Sequence, residues 1–350
     1  MESPALAEAL IAYSSGHMSH EDPSYTTVSL TARSKALNEL SVAVCRPTTD
    51  SGVIEIESST CLILLTSEVC LGSHESWYNP LIGAKHLIAC ARSDTGGSTT
   101  QGAQALRLTS EGRWILRNFA YHDIIGSVTL GTQPLLNRGY LSGITEEFDT
   151  YLGVAAQLLG FIAEITCLSF DSVDVLMQRQ SSRSHLNIER DLQTWKCPAG
   201  TPSSLEAVAH AYRGAALILL YRKIRKDSEA HDDTWLGFDI SLETLKDKIE
   251  AVVTSVLEHI ESVPENHVSE SPLLFPLFIV GGEVDYQKEM ELVRKRLESS
   301  YRKRSFRNIS RALDVLEQLW IGRQVQGVLG GKRAEWEDIL RSTEESLLLT

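Results

Sequence analysis

The chain is poor in the features that would make its chemistry legible. Its six cysteines, Cys45, Cys61, Cys70, Cys90, Cys167 and Cys197, are dispersed. No two stand at the spacing that structural zinc sites use, which argues against a metal centre. Most lie in apolar helical contexts such as Ile162–Cys167, which predicts buried, reduced thiols acting as small hydrophobes. His17 and His20 are three apart, too little on their own to assign a metal. No apolar run reaches the roughly 18 residues that a membrane span needs, and no basic-then-apolar leader opens the sequence. The expected location is intracellular, nuclear or cytoplasmic, with no membrane partner.

Positive charge is also scarce. Lys and Arg total 33 against 46 Asp and Glu, for a net charge of −13. A polyphosphate would be repelled at long range, so the molecule as a whole is not expected to grip nucleic acid. Catalytic signatures are missing too. There is no Gly-x-Ser-x-Gly, His-Glu-x-x-His or Asp-rich diphosphate motif, and Gly281-Gly282 is not followed by a phosphate-loop pattern. No cofactor is implied. Runs of β-branched residues at strand spacing are rare. Ser51–Ile56 comes nearest, and it reads better as a helix start capped by Asp50 or Ser51.

What is present is helical periodicity over a chain of 350 residues that is 43% hydrophobic, enough for a sizeable core. Apolar positions recur in steps of three and four at Leu205, Val208, Tyr212, Ala216 and Leu219. The same holds for Leu245, Ile249, Val252, Val256 and Ile260. It holds again for Tyr286, Met290, Val293, Leu297 and Tyr301, and for Ile309, Ala312, Leu316, Leu319 and Trp320. Segments near 28–45, 53–71, 76–92, 109–127 and 149–169 follow the pattern with softer ends. The fold class is all-α: a large irregular array of roughly a dozen helices in one domain spanning 1–350, rather than a four-helix bundle.

Three connections interrupt it. Arg92–Gly102, rich in Gly, Ser and Thr, is expected to be a mobile loop. Leu130–Thr145 is irregular but carries Leu135, Leu136, Tyr140 and Leu141, so it should pack over something. Cys197–Ser204, with two prolines and a glycine, separates two helices.

The apolar run Ser271–Glu283 is too short to span a bilayer and too proline-rich for a central strand. It predicts a short buried helix or turn that carries Glu283 into or near the core. A buried carboxylate needs a partner, and Arg213, on a helix apolar on nearly every side, is the expected one.

Seven stretches in order resemble one known family. They are Ser3–Ser14, Glu68–His86 with Trp77 and Gly83-Ala84, Phe119–Ile125 with Tyr121-His122-Asp123, Asp149–Gly153, Glu206–Tyr221, Pro276–Glu283 and Asn308–Trp320. Together they resemble the regulatory domain of fungal-specific transcription factors, and they cover nearly the whole chain. The resemblance implies an all-α regulatory region. In that family it follows a binuclear zinc cluster of six closely spaced cysteines, and this sequence contains no such cluster. Sequence-specific DNA binding through that module therefore does not carry over.

The leading expectation is a transcription-factor-like regulatory module that binds a small apolar ligand or a protein partner between its helices. Tyr121, Arg213 and Glu283 are its ligand-binding candidates. The alternative is an enzyme descended from this scaffold, acting on an apolar substrate in fungal secondary metabolism by cyclisation or isomerisation. His122 and Asp123 would be its acid–base residues, although neighbours on a helix diverge by about 100° and form no dyad by themselves. A dimerisation scaffold is a third reading, from an exposed Leu347-Leu348-Leu349 tail and a possible homodimer. The basic runs Arg294-Lys295-Arg296 and Arg302-Lys303-Arg304, interleaved with Glu289, Glu291 and Glu298, are expected to form a solvated, salt-bridged face. Nuclear localisation and a nucleic-acid patch are the rival readings of those runs. The six tryptophans are expected to anchor core or interfaces.

Overall fold

A computed structural model describes residues 3–44, 50–72, 77–95, 98–146, 148–149, 151–168, 175–230, 241–265, 267–329, 333–343 and 346–350. Cys45, Trp235 and the residues at 73–76 lie outside them. Fourteen α-helices and one small hairpin make up the described chain, an all-α array as the periodicity predicted.

The entry is a helical hairpin. Helix α1 (Pro4–Met18) starts on Ser3, whose hydroxyl accepts from the Leu6 amide, with proline in the first turn where its missing N–H costs nothing. It packs on α2 (Tyr25–Val44), with Ala5, Ala9 and Ala12 of the first helix and Ala32 and Ala36 of the second buried. Helix α3 (Ser51–Leu71) is capped by Asp50, which accepts from the Gly52 amide, and ends on left-handed Gly72. Helix α4 (Tyr78–Cys90) follows. The segment after it is not the mobile loop its composition suggested. Strands β1 (Arg92–Thr95) and β2 (Ser98–Gln101) pair antiparallel, with Thr99 donating to Asp94 across the ladder at 2.6 Å. Threonines suit a pleated surface, and this local preference outweighed the loop-like composition.

After α5 (Ala103–Leu106) comes α6 (Ser110–Leu130), the helix that positions the candidate site. Thr109 caps it and Gly131 closes it. Every residue from Phe119 to Thr129 is buried, so its second half runs through the interior. The following segment, irregular as expected, packs inward through Tyr140 and Leu141, with Leu135 and Leu136 half-buried against the core. A single 3-10 turn at Val154–Leu158 leads into α7 (Leu159–Cys167), and α8 (Val175–Thr194) follows.

The longest helix, α9 (Ser203–Ala230), packs against α7, α8, α10 (Leu242–Ser262) and α11 (Leu274–Gly281). Its approach to α10 is close at Gly214, where a β-carbon would meet Val256 Cγ2 at 2.1 Å. Helix α11 is the proline-bearing apolar run, buried at every residue, with Pro276 in its first turn where no amide is needed. Helices α12 (Gln287–Arg304), α13 (Arg307–Leu329) and α14 (Trp336–Ser342) complete the order.

Three expectations need correction. The Leu347–Leu349 tail is buried, at 1%, 2% and 0% exposure, so it offers no apolar dimer surface. Side chains hold its backbone: the Thr129 hydroxyl donates to Leu347 O at 2.5 Å and the Asn308 amide to Leu348 O at 3.0 Å. Cys90 and Cys167 are exposed, while Cys61 and Cys70 are buried with thiols pushed up to about 12 by desolvation. The basic runs are not uniformly solvated either. Arg294 and Lys295 pair with Glu291, Glu317 and Glu265 as a surface face would, but Arg296 is buried. It donates to the Ile260 and Val263 carbonyls and faces Glu270 at 3.5 Å. Of the tryptophans, Trp77, Trp320 and Trp336 are core, Trp195 is half-buried and Trp114 is exposed. Among the described residues no helix is long and apolar enough to cross a membrane, and no cluster of His, Cys, Asp or Glu could hold a metal ion.

Candidate functional site

On α6, Trp114, Arg117, Asn118, Tyr121 and His122 fall at i, i+3, i+4, i+7 and i+8, one stripe of a helix. This stripe is not spent on packing. It forms a wall of a cavity of about 440 Å³, within the range of small-molecule sites. The remaining walls come from distant parts of the chain: Tyr13 of α1, Val69 of α3, the 145–159 segment, Leu274 of α11, Arg304 at the end of α12, Ile309 of α13 and Thr350.

The floor is built on Asp149. Its carboxylate accepts from the Tyr151 and Leu152 amides at 2.8 and 2.7 Å and from Arg117 Nε at 3.3 Å. Asp149 and Gly153 also exchange both backbone hydrogen bonds, and the turn closes because Gly153 adopts φ +58. Tyr151 is thereby placed with its ring 5.3 Å from that of Tyr121.

Electrically the cavity is under-satisfied. The Tyr121 hydroxyl is buried and has no hydrogen-bond partner of ordinary geometry, with the Tyr151 and Tyr212 phenols near enough to influence it. Burial keeps this phenol protonated by raising its pKa well above the ordinary value. His122 Nδ1 lies 2.9 Å from Thr350 Oγ1, and desolvation lowers the imidazole pKa to about 4, so the ring is neutral. Arg304 is half-buried, in electrostatic reach of Tyr151, and makes no ion pair among the described residues.

The sequence candidates separate on inspection. Tyr121 and His122 line the cavity. Asp123 turns away from it, accepting from the Leu135 and Leu136 amides at 2.7 and 3.2 Å and so pinning the 130–145 segment. Burial raises the Asp123 pKa to about 6, against the pull of those two amides and of Lys85. The two adjacent side chains share no partner, as the divergence of neighbours on a helix requires.

Glu283 is buried as expected, its side chain fully inaccessible, but its partner is not Arg213. Arg222 and Arg225 grip it instead, the latter at 2.9 Å. Glu335 and Glu337 complete the knot, at 2.7 Å each from Arg222, and Lys226 joins Glu337 at 2.5 Å. Burial opposes ionisation of Glu283, yet the two guanidiniums outweigh it and hold the carboxyl at about 2. The reason for the correction is helical phase. Arg213 and Arg222 are nine residues apart, about 180° around a 3.6-residue helix, so they face opposite ways. Arg213 faces α10 beside His210 and His259, whose rings stack at 4.9 Å. Among the described residues it forms no ion pair, and its Nε is buried without a partner.

Two cavity residues, Arg117 and Arg304, were not singled out from sequence. Arg117 carries a usable signal, four residues before Tyr121 on the same stripe. Arg304 was hidden as the last member of a basic run whose other residues, Arg302 and Lys303, are exposed.

Comparison with known proteins gives two findings. The fungal-specific transcription factor domain family matches residues 1–350. The acriflavine sensitivity control protein acr-2 of Neurospora crassa is 28% identical over 169 residues, covering 45% of this chain and 26% of that protein. The match thus spans about a quarter of the relative. No solved structure matches the chain.

Proposed function

The chain belongs to the fungal-specific transcription factor domain family, and on that premise we propose that residues 1–350 act as one regulatory domain whose output is set by a small molecule held beside α6. That it is a regulatory module of the transcription-factor type follows from the family. The ligand, its cavity and a nuclear site of action are our reading. The observation that carries the reading is that the cavity joins α1, α3, α6, α11, α12, α13 and the C-terminal residue. An occupant there would touch the beginning, middle and end of the chain at once, so its binding energy could bias their relative packing.

Of the ligand-binding candidates, Tyr121 lines this cavity, and Arg213 and Glu283 do not. The enzyme alternative gains no support from the geometry or from the relatives. His122 and Asp123 serve different neighbours, Thr350 and the Leu135 amide. Nor does the buried leucine tail favour a homodimer.

The test is a reporter driven by this chain fused to a heterologous DNA-binding module. Ala156→Phe, which fills the cavity from the 3-10 turn, should fix the output at one level whatever the growth medium. Circular dichroism checks that the variant folds, and Thr145→Leu serves as a second filler. Output that tracks the medium identically in wild type and both fillers would contradict the proposal.

A further inference from the structure

The cavity's own chemistry says more about its occupant than that it is small. Its charged lining side chains are Arg117, Asp149 and Arg304, since His122 is neutral, which makes two cations against one carboxylate. The carboxylate is fully engaged, by Arg117 and two backbone amides. Arg304 is therefore a lining cation with no ion pair among the described residues. Helix termini favour cations at their C-terminal end, which accounts for the basic run closing α12. It does not account for the inward turn of Arg304 alone, while Arg302 and Lys303 remain exposed.

A second, independent feature points the same way. The buried Tyr121 hydroxyl meets no partner in ordinary hydrogen-bond geometry, only the neighbouring Tyr151 and Tyr212 phenols, and Tyr151 in turn feels the charge of Arg304. A buried polar group left in this state is costly unless something fills the vacancy. Trp114, Phe306 and Leu274 supply aromatic and aliphatic surface, beside the polar side chains of Thr66, Asn118, Thr145 and Ser271.

We propose that this site takes an amphipathic organic acid, its anionic head between Arg304 and the Tyr121 hydroxyl and its ring-bearing body against Trp114 and Phe306. A carboxylate or sulfonate would accept from both donors, and charge-assisted hydrogen bonds of this kind are the strong ones. A cationic ligand would meet the guanidinium, and a purely apolar one would engage neither donor. This rests on the cavity being the ligand site, and names the class of ligand.

Two fluorescent probes separate the points. Anilinonaphthalene sulfonate and N-phenylnaphthylamine share a body, and only the first is anionic. Titrated into the purified chain, the sulfonate should bind at least about tenfold more tightly than the neutral probe. Arg304→Gln should abolish that preference while leaving the neutral probe within about twofold, and Arg304→Lys should keep most of it. Tyr121→Phe, which removes only an unpartnered hydroxyl, should weaken the sulfonate about threefold with folding intact. Absence of any anion preference in wild type, or its persistence in Arg304→Gln, would overturn the assignment. If the neutral probe binds one-to-one and Ala156→Phe blocks it, the cavity stands and only the ligand class falls. If neither probe binds, both fall.

Discussion

Two polar regions of this protein are built on opposite terms. In the knot between α9 and α14, Arg222, Arg225 and Lys226 meet Glu283, Glu335 and Glu337, and each buried charge has at least one opposite partner. In the cavity beside α6, Arg304 lacks a carboxylate and Tyr121 lacks an acceptor. Saturation marks a joint that holds the chain together. Unmet donors in a hollow are what the proposed ligand would satisfy. The contrast makes burial of a charge a poor guide to function, and the state of its partners a better one.

The largest effect should come from breaking the joint. Glu283→Gln removes the carboxylate that two guanidiniums, 3% and 10% exposed, share, leaves them to Glu335 and Glu337, and should cost about 3–5 kcal/mol in denaturant unfolding. Arg304→Gln should cost less than about 0.5 kcal/mol, because that side chain has no ion pair to lose. Equal losses would erase the distinction between the two regions. Next in size is Leu348→Ala, at about 2–4 kcal/mol, since its side chain is buried near Gly126 of α6. A neutral result there would restore the exposed-tail picture.

A smaller effect, on the order of 1–3 kcal/mol, concerns pH. His122 titrates lower in the folded chain, at about 4, than when unfolded. Its contribution is present above about pH 6.5 and is lost as pH falls through about 4. Asp123, raised to about 6, acts in the opposite sense, losing stability as pH rises from its ordinary value through 6. The difference between wild type and His122→Gln across pH 4–6.5 isolates the first. Unfolding curves with the same pH slope in both would contradict it. Glu283 works in a separate window, its share being lost only as pH falls from the ordinary carboxylate range toward 2. Smallest of all, Arg213→Met should change stability by less than about 0.5 kcal/mol. A loss as large as that of Glu283→Gln would mean Arg213 does serve the knot.

Much of the fold was legible. Asp50 announced the start of α3, the three-and-four spacing gave α9, α10, α12 and α13, and Leu135, Leu136, Tyr140 and Leu141 told that an irregular segment would pack inward. The need of Glu283 for a cation could also be read, because a carboxylate in an apolar run has few alternatives. Which cation could not be inferred from composition alone, since Arg213, Arg222 and Arg225 share one helix and only their phase separates them. Half of the candidate site was legible in Tyr121 and His122. The rest depends on chain segments brought together from residues 13 to 350, and a single residue such as Arg304 looks like its exposed neighbours until the helix end is oriented.

Hydrogen–deuterium exchange with and without anilinonaphthalene sulfonate tests the contrast most directly, because it reports both regions in one experiment. Slower exchange should appear in the second half of α6, at 149–158 and in the 346–350 tail, with α14 and the 222–226 turn of α9 unchanged. Protection centred on the knot, or none beside α6, would contradict the assignment of the cavity as receptor and the knot as joint.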